Sequence, residues 1–83
     1  MSLRVLYFAW LRERIGESAE LLDTRAATVA DLVAELRGRE ERYALAFSDM
    51  AAVRVALDQE LADLAAPLAG VREVAFFPPM TGG

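Results

Sequence analysis

Residues 28–38, TVADLVAELRG, have the pattern of the main helix of this chain. Thr28 followed three residues later by Asp31 is typical of a helix N-cap, and Gly38 marks the other end. The apolar side chains at positions 29, 32, 33 and 36 fall on a single stripe of that helix. Burying the stripe is worth on the order of 6–12 kcal/mol before chain entropy is subtracted. The stripe therefore predicts a sheet against which the helix packs.

Two segments before this helix have the composition of strands. Residues 3–8 (LRVLYF) are rich in β-branched and aromatic side chains, and residues 18–24 (SAELLDT) predict an edge strand if their acidic side chains face water. Between them, residues 10–15 suit a short helix that Gly16 ends in a left-handed conformation. The first half of the chain thus predicts strand, short helix and strand before the main helix.

Three further strands are predicted after the helix. Residues 52–57 (AVRVAL) alternate well, residues 60–62 follow a turn at Asp58 and Gln59, and residues 71–77 end the pattern. Residues 39–42 are interpreted as a solvated continuation of the chain, residues 43–47 as a return to the core, and residues 63–70 as an irregular crossing.

This order of elements predicts an α+β fold of the β-grasp (ubiquitin-like) kind. About five strands would form a mixed sheet with one principal helix across one face. The competing fold is a ferredoxin-like sandwich, which needs a second full helix between the later strands. Residues 58–70 are too short and too broken by Pro67 to supply that helix. We therefore expect one domain over residues 1–77, followed by a tail over residues 78–83.

One helix covers one face of a sheet, so the other face is either solvated or meets a partner. Alternation along the strands assigns to this open face Arg4, Phe8, Arg54, Ala56, Glu73 and Phe77. Phe77 is interpreted as a docking residue because Phe76 already fills the inward position. For Phe8 two interpretations stay open: it is a docking residue on the open face, or it belongs to the core under the short helix.

The composition excludes several classes of function. A net charge of −4 and a pI near 4.7 argue against a nucleic-acid-binding protein. The chain has no His and no Cys, and all nine of its basic residues are Arg, so it has no Lys either. The chain therefore has no disulfide, no thiolate or imidazole metal ligand, no histidine base and no lysine nucleophile. With no visible signal peptide or membrane-length apolar stretch, we expect a cytoplasmic protein that does not interact with membranes.

The end of the sequence, residues 78–83 (PPMTGG), carries the remaining candidate chemistry. Pro78 and Pro79 hold the backbone extended, and Gly82 and Gly83 bring no side-chain bulk. Such a tail suits a narrow channel in which the carboxylate of Gly83 is activated by adenylation with ATP. The acyl-adenylate then accepts either sulfur or an amine, and the residues themselves do not choose between the two.

Residues 73–83 (EVAFFPPMTGG) resemble the ending of the small, sulfur-carrier subunits of molybdopterin synthase, which are MoaD/ThiS-like ubiquitin-like proteins. Residues 5–9 (VLYFA), residues 11–13 with Gly16, the start of the main helix, and Pro67 with Leu68 are similar as well. The resemblance implies that Gly83 is adenylated and converted to a thiocarboxylate. It also implies that the tail of Pro78, Pro79, Met80, Thr81 and Gly82 enters the large synthase subunit.

The resemblance implies the partners as well. They are an adenylyltransferase similar to ubiquitin-activating enzymes, a sulfurtransferase system, and large synthase subunits that form a heterotetramer with two small ones. Sulfur would pass to cyclic pyranopterin monophosphate, and Phe8, Leu61 and Phe77 would be apolar contacts to the partners. The carrier would bind no cofactor or metal and would not be an enzyme on its own, since ATP is used by the activating enzyme.

Three other functions stay open on the sequence. The first is a sulfur carrier for thiamine, tRNA or amino-acid sulfur. The second is a ubiquitin-like modifier joined through Gly83 to lysines of its targets. The third is a plain interaction domain with an inert tail.

Overall fold

The computed structural model describes residues 1–79, which form a five-stranded sheet with helices on one face. The elements in chain order are β1 (Ser2–Tyr7), α1 (Ala9–Ile15), β2 (Ala19–Asp23), α2 (Val29–Arg37), α3 (Glu41–Ala46), a 3₁₀ turn (Met50–Ala52), β3 (Arg54–Leu57), β4 (Glu60–Ala62) and β5 (Glu73–Phe77). The strands lie side by side in the order β2-β1-β5-β3-β4.

The last strand lies in the middle of the sheet. β5 pairs with β1 in parallel and with β3 antiparallel, while β2 and β4 are antiparallel edge strands. The chain that connects this parallel pair contains the other three strands as well as the helices, which lie on one face of the sheet. The predicted mixed sheet with a helical face is confirmed.

The main helix α2 packs as its sequence predicts. Val29, Leu32, Val33 and Leu36 are all buried, and the Thr28 hydroxyl accepts a hydrogen bond of 3.2 Å from the Asp31 amide. Their partners across the core are the inward side chains of the two central strands: Leu3, Val5, Tyr7, Val74 and Phe76. These residues join the helix to the sheet in one apolar core.

Helix α3 was not predicted, although residues 43–47 return the chain to the core as expected, with Tyr43, Ala46 and Phe47 buried. The helix spans only six residues, Glu41–Ala46, and buries only Tyr43 and Ala46. Two buried positions are too few to produce a recognisable 3.6-residue period. Packing against α1 and α2, together with the Phe47 ring set edge-on to Phe76 at 5.0 Å, fixes this segment.

Other predicted boundaries shift by one or two residues because end residues have other roles. Phe8 leaves β1 to become the N-cap of α1, and residues 50–52 form the 3₁₀ turn that delays the start of β3. Gly16 ends α1 in the left-handed conformation, as predicted, with φ of 85°.

The turn between β3 and β4 is tight and carries backbone strain. Asp58 and Gln59 both have positive φ, 49° and 72°, in a two-residue loop of the kind that favours Asn-Gly. The Asp58 carboxylate accepts hydrogen bonds from the amides of Arg72, at 3.1 Å, and Glu73, at 2.9 Å. Asp58 therefore ties this turn to the start of β5.

We expect Gln59→Gly to raise the free energy of unfolding by about 1 kcal/mol, because glycine adopts positive φ without a β-carbon clash. Urea denaturation measures the change. Gln59→Ala is the control: it removes the same side chain but keeps the β-carbon, so it should give no such gain. Equal effects of the two variants would contradict the strain argument.

Candidate docking face and tail exit

An apolar row crosses the face of the sheet that the helices leave open. The strand register aligns one residue from each strand across the whole width: Ala19, Leu6, Ala75, Ala56 and Leu61. Most members of this row are small, so the middle of the face presents a shallow apolar surface bordered by larger side chains. Sequence alternation places Leu6, Ala56 and Ala75 on this face but does not align them, because the row depends on the register between strands.

Phe8 and Phe77 lie next to each other at one end of this face. The Phe8 amide donates to the Phe76 carbonyl at 3.1 Å, which continues the β1–β5 pairing to Phe8 beside Phe77. Phe8 is 45% exposed, so the alternative that it belongs to the core is wrong. Phe77 is half-buried and lies opposite Arg54 of β3.

A strained residue holds Phe8 in this position. Ala9 has φ of 53°, a left-handed conformation that costs an alanine about 1 kcal/mol. The strain permits a sharp turn from β1 into α1, and the Phe8 carbonyl accepts the first helical bond from Leu11 at 3.1 Å. The chain thus turns into the helix while the Phe8 side chain stays exposed.

Leu61 lies on the same face at the β4 edge and is 79% exposed. It pairs with Ala56, which pairs with Ala75 of the central strand. Ordinary strand spacing places Leu61 about 12 Å from Phe77. The structure therefore places Phe8, Phe77 and Leu61 on one surface, which we call the docking face.

The tail begins at the end of the central strand. Pro78 and Pro79 follow Phe77 directly and are half-buried, so the chain leaves the sheet beside the two phenylalanines. The predictions for Met80, Thr81, Gly82 and Gly83 concern residues outside those that the structure describes. The division into a domain over residues 1–77 and a tail over residues 78–83 stays a prediction.

Behind the sheet, a carboxylate joins three elements. Glu20 of β2 accepts hydrogen bonds from the Tyr7 hydroxyl of β1 at 2.9 Å and from the Tyr43 hydroxyl of α3 at 2.7 Å. β2 is an edge strand, but of its acidic side chains Glu20 faces inward rather than toward water. The signal was present, because Glu20 and the buried Leu22 share the inner face of the strand.

The pKa values of both tyrosine hydroxyls are raised, which favours their protonated form. Burial, reinforced by the hydrogen bond to Glu20, raises the pKa of Tyr43 to about 12 and raises the pKa of Tyr7 further. A phenol that donates to a carboxylate must keep its proton, so this cluster holds α3 on the sheet only while both hydroxyls are neutral.

We expect stability to be lost as the pH rises above about 10, where the tyrosines of the unfolded chain ionise while those of the folded chain remain protonated. Tyr7 and Tyr43 are the only tyrosines, and the chain has no Lys or Cys to titrate in that range. Urea denaturation from pH 7 to pH 11 measures the effect. Tyr43→Phe, which removes one of the two groups, should make the decline shallower; an unchanged decline would contradict this assignment.

Within residues 1–79, no group of three or more acidic side chains is arranged to hold a metal ion. The helices of the same residues are all too short or too polar to cross a bilayer.

Comparison with known protein families assigns the chain. A family model described as the ThiS family matches residues 5–83, which includes the Gly-Gly end. The chain belongs to the ThiS family. Two curated members, from Escherichia coli strain K12 and from Haemophilus influenzae, are each 38% identical to it over 81 residues, covering 98% of this chain and 99% of each relative. Both are named molybdopterin synthase sulfur carrier subunit, so the resemblance found in the sequence is confirmed.

Solved structures confirm the β-grasp fold. SAMP1 from Haloferax volcanii superposes with a TM-score of 0.75 at 28% identity, with 100% of both chains covered. A putative molybdopterin converting factor subunit 1 from Pyrococcus furiosus gives a TM-score of 0.73 at 24% identity, covering 96% of this chain and 99% of the other. The second similarity supports the fold alone.

Proposed function

We propose that this ThiS-family chain is the sulfur carrier of a molybdopterin synthase. The observation that carries the proposal is near-full-length similarity to two proteins named as such subunits, with the family match extending through Gly83. In this role the domain is not an enzyme on its own. It delivers a reactive chain end to catalytic groups that belong to its partners.

The chemistry takes place at the Gly83 carboxylate. Carboxylate oxygen attacks the α-phosphorus of ATP, pyrophosphate leaves, and an acyl-adenylate forms on an adenylyltransferase. The terminal sulfur of a persulfide on a sulfurtransferase then displaces AMP. A second thiol cleaves the resulting acyl disulfide, so that the donor ends as a disulfide and a thiocarboxylate remains on Gly83. In the large synthase subunit, the thiocarboxylate sulfur forms a bond to cyclic pyranopterin monophosphate. Water then hydrolyses the resulting thioester, which leaves the sulfur on the pterin and regenerates the carboxylate.

The geometry of the described residues fits this role. Phe8 and Phe77 form an apolar surface where the tail leaves the central strand, so a partner that binds them is close to the start of the tail. The chain has no Lys, His or Cys with which to attack its own activated end. An acyl-adenylate on Gly83 therefore meets its nucleophile only in the partner. A cytoplasmic location is part of the same proposal.

Intact mass spectrometry tests the first half of this sequence. After incubation with ATP, the adenylyltransferase and a sulfur donor, we expect a mass gain equal to the difference between sulfur and oxygen. Reaction with the large synthase subunit and the cyclic pterin should then restore the original mass of the carrier and form the dithiolene on the pterin. If the mass gain occurs but only a thiazole synthase, and no pterin synthase, consumes the sulfur, the carrier serves another sulfur pathway.

The similarity to SAMP1 favours one further candidate function. A related structure from the same archaeon is described as small archaeal modifier protein 1, at 23% identity and a TM-score of 0.71. A modifier would use the same activated Gly83 to acylate lysines of target proteins. Denaturing gels of cells that express the tagged chain distinguish the two functions, since a modifier gives a ladder of isopeptide-linked species and a dedicated sulfur carrier does not.

A further inference from the structure

The two edges of the sheet differ in how well they are protected against pairing with another strand. β4 has only three residues, and a very short edge strand is a usual means of preventing such pairing. β2 has five residues, with no proline, no lysine and no bulge interrupting its pairing with β1. Of its two charged residues, Glu20 is held inward by the two tyrosines, and Asp23, at the end of the strand, pairs with the Met1 amine at 3.1 Å.

The backbone groups of the β2 edge point away from the sheet at alternate residues. The Ser18 carbonyl and the Thr24 amide bond to β1, at Tyr7 and Met1, so residues of the same parity face β1. The amides and carbonyls of Ala19, Leu21 and Asp23 therefore face outward, where another strand can pair with them. Leu21 is 76% exposed at the centre of this edge.

The sequence of this edge is complementary to itself. In an antiparallel pair centred on Leu21, each Leu21 faces the other, and Ala19 faces Asp23. Glu17 and Arg25 flank the ladder, which runs from Ser18 to Thr24, and both are exposed. Continued by one residue at each end, the same register sets Glu17 opposite Arg25 of the second copy, twice by symmetry. Opposite charges directly across a strand pair stabilise it. Moving the register by two residues separates the leucines and loses both charge pairs.

We propose that the β2 edge is a self-association surface, through which two copies join antiparallel about Leu21 to form one continuous ten-stranded sheet. This proposal does not depend on the function proposed above. β4, with Leu61, forms the outer edge of each half, and the tail leaves from the central β5. Both docking faces therefore stay free in the dimer, and each copy can still present its chain end.

The dimer is expected to be weak. One paired strand on each side buries less than the about 1,000 Å² typical of stable interfaces, so we expect a dissociation constant on the order of 0.1 mM. Sedimentation velocity of the full chain, from micromolar to near-millimolar concentration, measures it. We expect Leu21→Asp, which sets two carboxylates opposite each other, to remove the dimer, whereas Leu45→Asp on α3 carries the same change at a 57% exposed leucine and should leave it intact.

A charge exchange tests the register itself. Glu17→Arg and Arg25→Glu, made singly, each place like charges across the strand pair and should weaken association by about five- to tenfold. The double variant E17R/R25E keeps the original net charge and restores both pairs, so it should dimerise as the wild type does. The proposal is overturned if the wild type stays monomeric at near-millimolar concentration, if Leu21→Asp still dimerises, or if the double variant is no better than the single ones.

Discussion

A chain that lacks Gly83 should transfer no sulfur above the background measured without any carrier. If the terminal carboxylate of Gly83 is the group that is activated, a shortened chain ends one residue too early for its carboxylate to reach the active site of the adenylyltransferase. We therefore expect a complete loss of activation rather than a partial one. The assay is dithiolene formation with the large synthase subunit, together with intact mass after the activation step. A chain extended by one residue beyond Gly83 should fail in the same way, because the activated carbonyl is then no longer that of Gly83.

A second variant distinguishes two requirements for activation, a terminal carboxylate and a chain end narrow enough for the channel. Gly83→Ala keeps a terminal carboxylate and adds one β-carbon, so we expect slow but measurable activation. The fold of all three variants should be unchanged in circular dichroism and in urea denaturation, since the core is built from residues of the domain. Wild-type sulfur transfer by the shortened or the extended chain would contradict the carrier proposal.

Leu61→Asp should weaken binding to the large synthase subunit by at least about a hundredfold. Leu61 is 79% exposed on the docking face, so the substitution costs the free domain little. In a complex that covers this face, the variant loses the burial of a leucine side chain and places a charge against an apolar partner. Isothermal titration calorimetry against the large subunit measures the loss.

Leu21→Asp is the matched control on the opposite edge of the same face. Leu21 is 76% exposed, and the variant has the same net charge as Leu61→Asp. We expect it to bind the large subunit within about twofold of the wild type, while it removes the self-association proposed for β2. Equal losses of affinity in both variants would show that the partner covers the whole open face, and unchanged affinity in Leu61→Asp would exclude the β4 side from the interface.

Local signals were sufficient for the elements that carry them. The Thr28 cap and the stripe behind it predicted α2, and Gly16 predicted the left-handed end of α1. α3 gave no such signal because it buries only Tyr43 and Ala46. Its position is set by packing against the other helices and by the bonds of Tyr43, which sequence spacing does not contain.

The sequence by itself determined the chemistry that is available and the class of fold. The absence of His, Cys and Lys, the Pro-Pro spacer and the Gly-Gly end direct attention to the chain terminus. Composition, the order of the elements and the alternation of side chains along a strand can all be established without knowing which residues are in contact.

Only the tertiary structure decided which strands are neighbours. Pairing of β5 between β1 and β3 aligned the apolar row, placed Phe8 beside Phe77, and left β2 and β4 at the edges. Alternation tells which face a residue occupies but not what lies beside it, because register arises from contacts between segments far apart in the chain. For that reason the alignment of the apolar row and the backbone groups that β2 turns outward emerged only from the folded protein.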